Sequence, residues 1–265
     1  MASSGNFATI NFEAQSLDSK VSPRGGNLMF DGSTLSPSNY EAGVVCNFGM
    51  KGGKWYWEAR LSGGGAPVAG GKDFNIGIVP YSTASKSVDD SGIGLNIGNG
   101  SSSGFRKSGY GFTMYPGSTT GIRHNNSTDT SGSLGNHTSG DILGFALDLD
   151  AGTLIIYRNG SSLGTAVSSI DTTLTWFAAC GANGGNISSY DITFNFGQDS
   201  TFQSAVTAGG NSDGNFGDFK YSVPTNYKAC CSGNLEISSD IDPALTDDDY
   251  PGKLFNVLTY TASGG

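Results

Sequence analysis

Large apolar residues alternate with small or polar ones most clearly between Asp141 and Gly160, and this pattern predicts a β-hairpin. In the first arm, residues 142–149, four large apolar side chains are separated by glycine, alanine and aspartate, which is the period of a half-buried strand. Asp150-Ala151-Gly152 supplies the turn, because glycine adopts positive φ without steric cost. The second arm, residues 153–158, is β-branched and aromatic, and Asn159-Gly160 marks a further tight turn. A long hairpin is not stable alone in water, so we expect other strands to cover its apolar face.

A second alternating run, residues 54–61, predicts a strand with two tryptophans on one face. Trp55 and Trp57 fall on that face, and Tyr56 and Glu58 fall on the other. Because burial of an aromatic ring contributes more than that of most side chains, we expect both tryptophans in the core. An exposed stacking platform for a sugar or a base is the alternative. Further strands are predicted at residues 7–12, 27–30, 44–48, 74–79 (where Pro80 ends the run), 110–115, 174–180 and 187–196, with a weak one at 93–97.

The composition favours an all-β protein. The chain has 265 residues, of which 42 are glycine, and only 14% are charged, which favours many short strands joined by tight turns. No sustained run has the apolar spacing of a helix. The net charge of −9 argues against a positively charged track for nucleic acid. No basic start followed by an apolar core marks a signal peptide, and no run of about 18 apolar residues predicts a membrane span.

The pattern divides the chain into three parts. Residues 1–42 form an N-terminal segment with edge strands, residues 43–202 form a β-sandwich, and residues 203–265 form an extended C-terminal segment that is a possible start of a further β domain. Within the last part, residues 223–229 are expected to dock back on the sandwich. The apolar run 254–260 has no obvious partner nearby, so we expect it to pair outside the sandwich, in an oligomer or a larger assembly.

Six short motifs, in this order, resemble those of the SPRY domain. They are Gly53-Lys54-Trp55-Tyr56-Trp57-Glu58, Asp73-Phe74-Asn75-Ile76-Gly77-Ile78, Gly109-Tyr110-Gly111-Phe112, the run from Asp141 to Asp150, Tyr157-Arg158-Asn159-Gly160 with Leu163-Gly164, and Asn195-Phe196-Gly197-Gln198 with Phe202. The resemblance covers about residues 43–202. It implies a bent β-sandwich of two antiparallel sheets that acts as a binding module, with the partner site on loops at one end and no catalytic residue.

A narrower resemblance concerns the C-terminal part. Pro224-Thr225-Asn226-Tyr227-Lys228-Ala229, then Asn234-Leu235 and residues 255–261, are similar to the segment that follows SPRY domains in large virion proteins of marine tailed phages. In those proteins the segment leads into a further β domain. The resemblance implies a virion location, with other virion proteins or copies of this chain as partners.

No group of residues in the sequence has the pattern of a catalytic, cofactor or metal site. Asp148-Leu149-Asp150-Ala151-Gly152 has part of a calcium-loop pattern but lacks the distant glutamate, so a hairpin turn is expected there. His124 and His137 have no cysteine or acidic partner at the spacing of zinc ligands, and Asp247-Asp248-Asp249 is expected to be a solvated charge run. Cys46, Cys180, Cys230 and Cys231 show no C-x-x-C spacing and are expected to be buried free thiols.

The leading hypothesis is a non-enzymatic structural or binding module of a phage particle, in a tail fibre, a spike or a capsid-surface protein. Its partner contacts, to virion proteins or to a glycan or protein of the host surface, are expected from the two longest connections, residues 82–103 and 119–139. One alternative is a stand-alone intracellular adaptor that binds a peptide. The other is a carbohydrate-active enzyme, which would need Glu58 and Asp148 to face each other across a cleft.

Overall fold

The structure, a computed structural model, is all-β in the part of the chain that it describes. It describes residues 5–11, 25–26, 28–31, 41–62, 74–81, 109–114, 122–124, 127–128, 134, 138–183 and 191–235. The chain divides into two compact units, Met1–Gly233 and Asn234–Gly265. Nearly all of the second unit lies outside the described residues, so the architecture below is that of the first.

Two sheets make up the first unit. Neighbouring strands in the first sheet follow the order β1 (Ile10–Asn11), β3 (Glu41–Cys46), β12 (Thr175–Asn183), β5 (Phe74–Tyr81), β6 (Tyr110–Met114), β7 (Ile122–His124) and β8 (Ser127–Thr128). The second sheet has the order β11 (Ser161–Val167), β10 (Thr153–Arg158), β9 (Ile142–Asp148), β4 (Lys54–Ser62), β13 (Asp191–Asn195) and β2 (Met29–Asp31). All these pairs are antiparallel, and β14 (Lys228–Ala229) adds to β4 in parallel. The predicted pair of antiparallel sheets is confirmed.

The hairpin of β9 and β10 forms as the alternating pattern predicts. Asp148 pairs with Thr153 and Leu143 pairs with Arg158, in register along the whole length. Gly152, in the four-residue connection between Asp148 and Thr153, has φ +68. Asn159 and Gly160 have φ 49 and +81, which are the left-handed values that a two-residue hairpin turn needs. The second turn leads directly into β11, so β10 is the central strand of a three-stranded meander.

The space between the sheets is filled with aromatic and aliphatic side chains. Trp55 and Trp57 are both buried there, and Trp57 stacks on Phe145 with ring centroids 5.3 Å apart and an interplanar angle of 4°. Ile76, Ile78 and Phe112 of the first sheet belong to the same cluster. The predicted core position of the tryptophans is confirmed, and the alternative of an exposed stacking platform is wrong.

Two short strands from the N-terminal part extend the sheets. β1 pairs with β3 through Ile10 and Asn11, and β2 pairs with β13 through residues 29–31. The apolar pieces predicted at residues 7–12 and 27–30 therefore form edge strands, as expected.

Two of the sequence expectations need correction. Pro80 does not end its strand, because β5 continues to Tyr81 and pairs with Thr175. The pairing of β6 with β5 starts only at Ile78, so the missing N–H of Pro80 lies beyond that ladder. Residues 119–139 are not one connection, because β7 and β8 lie within them and extend the edge of the first sheet through backbone pairing. The weak strand at 93–97 and the run 254–260 lie outside the described residues.

The outer face of the second sheet is covered at β9, contrary to the half-buried pattern of that strand. All seven residues of β9 are buried. The cover is the segment 203–233, called the strap below, which crosses the outer face of β4, β9 and β10 and adds β14 to β4 at Trp55 and Tyr56. This position is open because β13 pairs with β4 only from Glu58 onward. The predicted docking of residues 223–229 is confirmed.

Candidate binding surface

Glu58 lies at the centre of the contact between the strap and the sheet. Its carboxylate is fully buried on the outer face of β4. The backbone N–H groups of Lys220 and Tyr221 each donate to it over 2.9 Å. The hydroxyl of Tyr56 and the side-chain amide of Asn195 donate to it over 3.2 and 3.3 Å. Two consecutive backbone N–H groups of the strap thus donate to one side chain of the sandwich, Glu58.

Burial raises the pKa of Glu58, while the hydrogen bonds from Lys220, Tyr221, Tyr56 and Asn195 oppose that rise. Burial and the neighbouring Glu58 carboxylate also raise the pKa of Tyr56 well above its usual value. All four partners of Glu58 donate, so they favour the ionised acceptor over the neutral acid. A carboxylate held in this way is a fixed anchor and is closed to substrate.

Aromatic side chains complete the contact around the anchor. The rings of Phe219 and Tyr56 meet edge to face, with centroids 5.2 Å apart, and Tyr157 meets Tyr56 from another side at 6.4 Å. A Cβ at Gly144 would lie 2.6 Å from the hydroxyl oxygen of Tyr56, and a Cβ at Gly160 would lie 2.7 Å from the ring of Tyr221. Both glycines of the hairpin therefore make room for aromatic rings that cover it.

The start of β4 carries an ion pair beside the strap. Lys54 Nζ lies 2.7 Å from Asp148 Oδ2 and 5.9 Å from the ring centroid of Tyr227. Burial alone raises the pKa of Asp148, but the bonds from Lys54 and from the N–H groups of Ala151 and Asp150 outweigh it and the net pKa is lowered. The hydrogen bond and charge of Asp148 raise the pKa of Lys54.

The end of the strap pairs with the N-terminal segment. Phe7 and Cys231 form an antiparallel bridge, the N–H of Ala8 donates to the carbonyl of Cys230 over 2.8 Å, and the N–H of Ser232 donates to the carbonyl of Asn6 over 2.9 Å. All four cysteines are buried and free, as predicted. Burial raises the pKa of the Cys46 thiol to about 11 and the pKa of Cys230 well above its usual value, so both thiols stay protonated at neutral pH.

The residues that the sequence offered for chemistry serve structural roles or lie outside the described part. Asp148 accepts the N–H groups of residues 150 and 151, and Asp150 accepts the N–H of Gly53 over 2.8 Å, so the suspected calcium loop is a hairpin turn. In the β4–β9 register Asp148 lies opposite Lys54, and Glu58 is four residues further along β4. Four residues correspond to about 13 Å along a strand, which exceeds the separation of a glycosidase pair.

The remaining candidates are not brought together. His124 is the last residue of β7, while His137 and residues 247–249 lie outside the described residues. Where the chain is described, no group of three or more His, Cys, Asp or Glu residues could hold a metal ion. Within that same part, none of the helices is both long enough and apolar enough to cross a membrane.

With the outer face of the second sheet covered at β4 and β9, the strand ends and β11 are candidate contact surfaces. Ser62, Asp191 and Asp31, which are the ends of β4 and β2 and the start of β13, lie side by side in register. In the first sheet the start of β5 at Phe74 lies between Ala182 and Met114. The other end of β5 is Tyr81, which precedes residues 82–103, and β11 presents exposed Ser161, Ser162 and Thr165.

Comparison with known proteins decides the family. A family model described as "SPRY domain" matches residues 54–199, more than half of the chain. The chain belongs to the SPRY family. The domain of this family is a protein-binding module, so the chain contains such a module. Among curated protein sequences none is significantly similar to it.

Solved structures of SPRY domains have a fold similar to that of this chain. The SPRY domain of human HERC1 has 15% identity, covers 70% of this chain and 96% of its own length, and has a TM-score of 0.49. The PSpry domain of TRIM65 has 15% identity, covers 71% of this chain and 92% of its own length, and has a TM-score of 0.47.

The SPRY motifs have identifiable structural roles in this chain. Lys54–Glu58 is the first half of β4, where the tryptophans point into the core and Glu58 points to the outer face. The motifs that contain Asp148 and Asn159 close the two ends of the hairpin. Asn195 accepts the N–H groups of Gly197 and Asp199 and donates to Glu58 and to the carbonyl of Asp218. The closing motif therefore joins β13 to the strap.

The sequence did not reveal the role of the strap aromatics or of Glu58 as their anchor. Glu58 is separated from Lys220 and Tyr221 by 162 and 163 residues. The available signal was the aromatic spacing Phe216, Phe219 and Tyr221 in an otherwise polar segment. An outward tyrosine beside a glutamate in β4 was a second signal, since such a face is normally polar.

Proposed function

We propose that this SPRY chain is a non-enzymatic binding and structural module of a tailed-phage particle, in a tail fibre, a spike or a capsid-surface protein. The observation that carries the proposal is the strap. Its residues 224–229 are similar to the segment that follows SPRY domains in virion proteins, and in this chain the segment is built into the fold through β14 and Tyr227.

The surface chemistry supports a binding role over catalysis. Glu58 is closed to substrate by four hydrogen bonds, and Asp148 is held by Lys54 and by its own turn. The outer face of the second sheet is closed by the strap, so a partner would meet the connections at the strand ends. We place the partner contacts on residues 82–103 and 119–139, with virion proteins or a glycan or protein of the host surface as partners.

Mass spectrometry of purified particles tests the location. The chain should be present at a fixed ratio to the major capsid protein and should remain after nuclease and high-salt washing. Its absence from infectious particles, while it is abundant in the infected-cell lysate, would exclude the virion role.

Loop replacement tests the contact surface. Exchanging 82–103, and separately 129–133, for a short Gly-Ser linker should leave the circular dichroism spectrum intact and should reduce attachment or assembly; the second exchange keeps the buried Leu134. The second exchange spares β7 and β8. A matched control is the replacement of residues 205–208, in the strap, by glycine and serine, which should leave both readouts intact. Unchanged attachment and assembly in both loop variants would contradict this placement.

A further inference from the structure

A strained turn separates the sandwich from the strap. Phe202, Gln203 and Ser204 have φ angles of 50, 60 and 65, three consecutive non-glycine residues in the left-handed region. L-residues visit this region singly, because Cβ then crowds the carbonyl oxygen of the following peptide. A run of three is exceptional, and such strain persists only where the surrounding structure enforces it.

Local hydrogen bonds enforce this turn. Asp199 accepts the N–H groups of Thr201 and Gln203 over 2.8 and 2.7 Å, and the N–H of Val206 donates to the carbonyl of Thr201 over 3.0 Å. The Phe202 side chain is buried. Residues 203–205 and 207–210 are exposed, so the chain from Gln203 to Gly210 lies largely on the surface.

Most of the buried strap residues pack in a cluster separate from the main core, although Cys230 belongs to the main core. Phe219, Tyr227, Ala229 and Cys231 group with Tyr56 and Ala146 on the outer face of the sheet, apart from the cluster between the sheets. Its polar attachments include Glu58, which takes two backbone N–H groups, and the pairing with β4 and with Phe7. Asp218 also bonds with Asn195, Gly197 and Ser200, and the N–H of Gly209 donates to the hydroxyl of Ser200. Every one of these groups is present on each copy of the chain, so the strap of a second copy would find the same partners.

We propose that the strap exchanges between two copies of this chain, each seating residues 216–231 on the Glu58 face of the other. The left-handed turn favours the exchange, because opening it lets residues 202–204 return to ordinary φ values while the contacts of residues 216–231 are re-formed in the partner copy. The inference is independent of the virion role, since it depends only on the turn and on the strap contacts.

Ser204 offers a test, because its side chain is exposed and a substitution there mainly changes the cost of its positive φ. The full chain is refolded at high and at low concentration, and its mass is measured by size-exclusion chromatography with light scattering. Wild type should give a monomer and a dimer. Ser204→Gly, which removes the strain of the closed turn, should lower the dimer-to-monomer ratio by about fivefold or more. Ser204→Val, with a branched Cβ, should raise it.

Ala208→Gly is the matched control. It adds the same flexibility to the same exposed segment at a residue without positive φ, so it should leave the ratio within about twofold of wild type. A protein that is monomeric under every condition would overturn the proposal. A dimer-to-monomer ratio that is the same in wild type and in both Ser204 variants would overturn it as well.

Cross-linking distinguishes exchange from any other dimer. Tyr221, which lies over Gly160, is replaced by p-benzoylphenylalanine in chains with light and heavy isotopes, and the two are refolded together. Exchange predicts that the dimer gives mixed light–heavy cross-links between the strap and the turn at 159–161, while the monomer gives only same-isotope ones. Only same-isotope cross-links in the dimer would show that each strap stays on its own sandwich.

Discussion

At the scale of single residues, Trp57 reports on the packing between the sheets. It is fully buried, stacked on Phe145, and its indole N–H has no hydrogen-bond partner. Trp57→Ala should lower the free energy of unfolding by about 3–5 kcal/mol, the usual cost of truncating a buried aromatic side chain. Urea unfolding measures this.

Trp57→Phe is the control for that substitution. It keeps a stacking ring and removes the unpartnered N–H, so it should cost clearly less than Trp57→Ala. A cost below about 1 kcal/mol for Trp57→Ala would mean that the tryptophan is not a core residue.

Glu58 makes a pH-dependent contribution to the stability of the domain, and the sign of this contribution follows from its burial. Its pKa is higher in the folded chain than the unfolded value of about 4.3. A group with a raised folded pKa contributes stability that is present below the unfolded pKa and is lost as pH rises through the folded pKa. The stability of wild type relative to Glu58→Gln should therefore fall as pH rises from about 4 through the folded pKa.

Urea unfolding of wild type and Glu58→Gln at a series of pH values checks this. The variant should also be less stable overall, by about 1–3 kcal/mol, because its amide places donors against the N–H groups of Lys220 and Tyr221. A difference between the two proteins that stays constant across the acid range would contradict the raised pKa.

At the scale of elements, the sequence predicted local structure well and long-range packing poorly. The β9–β10 hairpin follows from alternation and two turn signals within about twenty residues, so it could be read directly. The cover on its outer face could not, because Gly144 and Ala146 look like the solvent side of a strand until Tyr56 and Phe219 are placed on them. β7 was missed for a related reason, since an edge strand is held by backbone pairing and needs no apolar pattern.

Gly144 tests this packing between elements. A Cβ there would lie 2.6 Å from the hydroxyl oxygen of Tyr56 and 3.2 Å from Cβ of Tyr157, so Gly144→Ala should destabilise the domain by about 1–3 kcal/mol. In a double-mutant cycle, Tyr56→Phe should recover part of that loss, because it removes the crowded oxygen. Strictly additive free energies for the two substitutions would contradict the contact.

At the scale of the whole molecule, the sandwich is completed by a segment that follows its last motif. The family model ends at residue 199, yet the first compact unit runs to Gly233. The strap fills the position on β4 that β13 leaves open and it closes the outer face of the sheet. We therefore expect contact with a partner at the strand ends and their connections, as the proposed function has it.

The part of the chain that follows the strap offers a test at this scale. Residues 254–260 are apolar and β-prone, and we expect them to pair outside the sandwich. Residues 1–240 and 1–265 are expressed separately, and the longer form should show more self-association than the shorter one. Equal association of the two forms, with the Val257 and Leu258 amides protected from hydrogen exchange in a monomer, would show that the run docks on its own chain.

Hydrogen exchange at the Lys220 and Tyr221 amides tests most directly whether the strap is an integral part of the domain. Both amides donate to the buried Glu58, so their protection in the full chain should approach that of the β9 amides of residues 143–147. Exchange at Lys220 and Tyr221 as fast as at the exposed residues Thr207 and Ala208 would contradict this. The outer face of the second sheet would then be open to a partner.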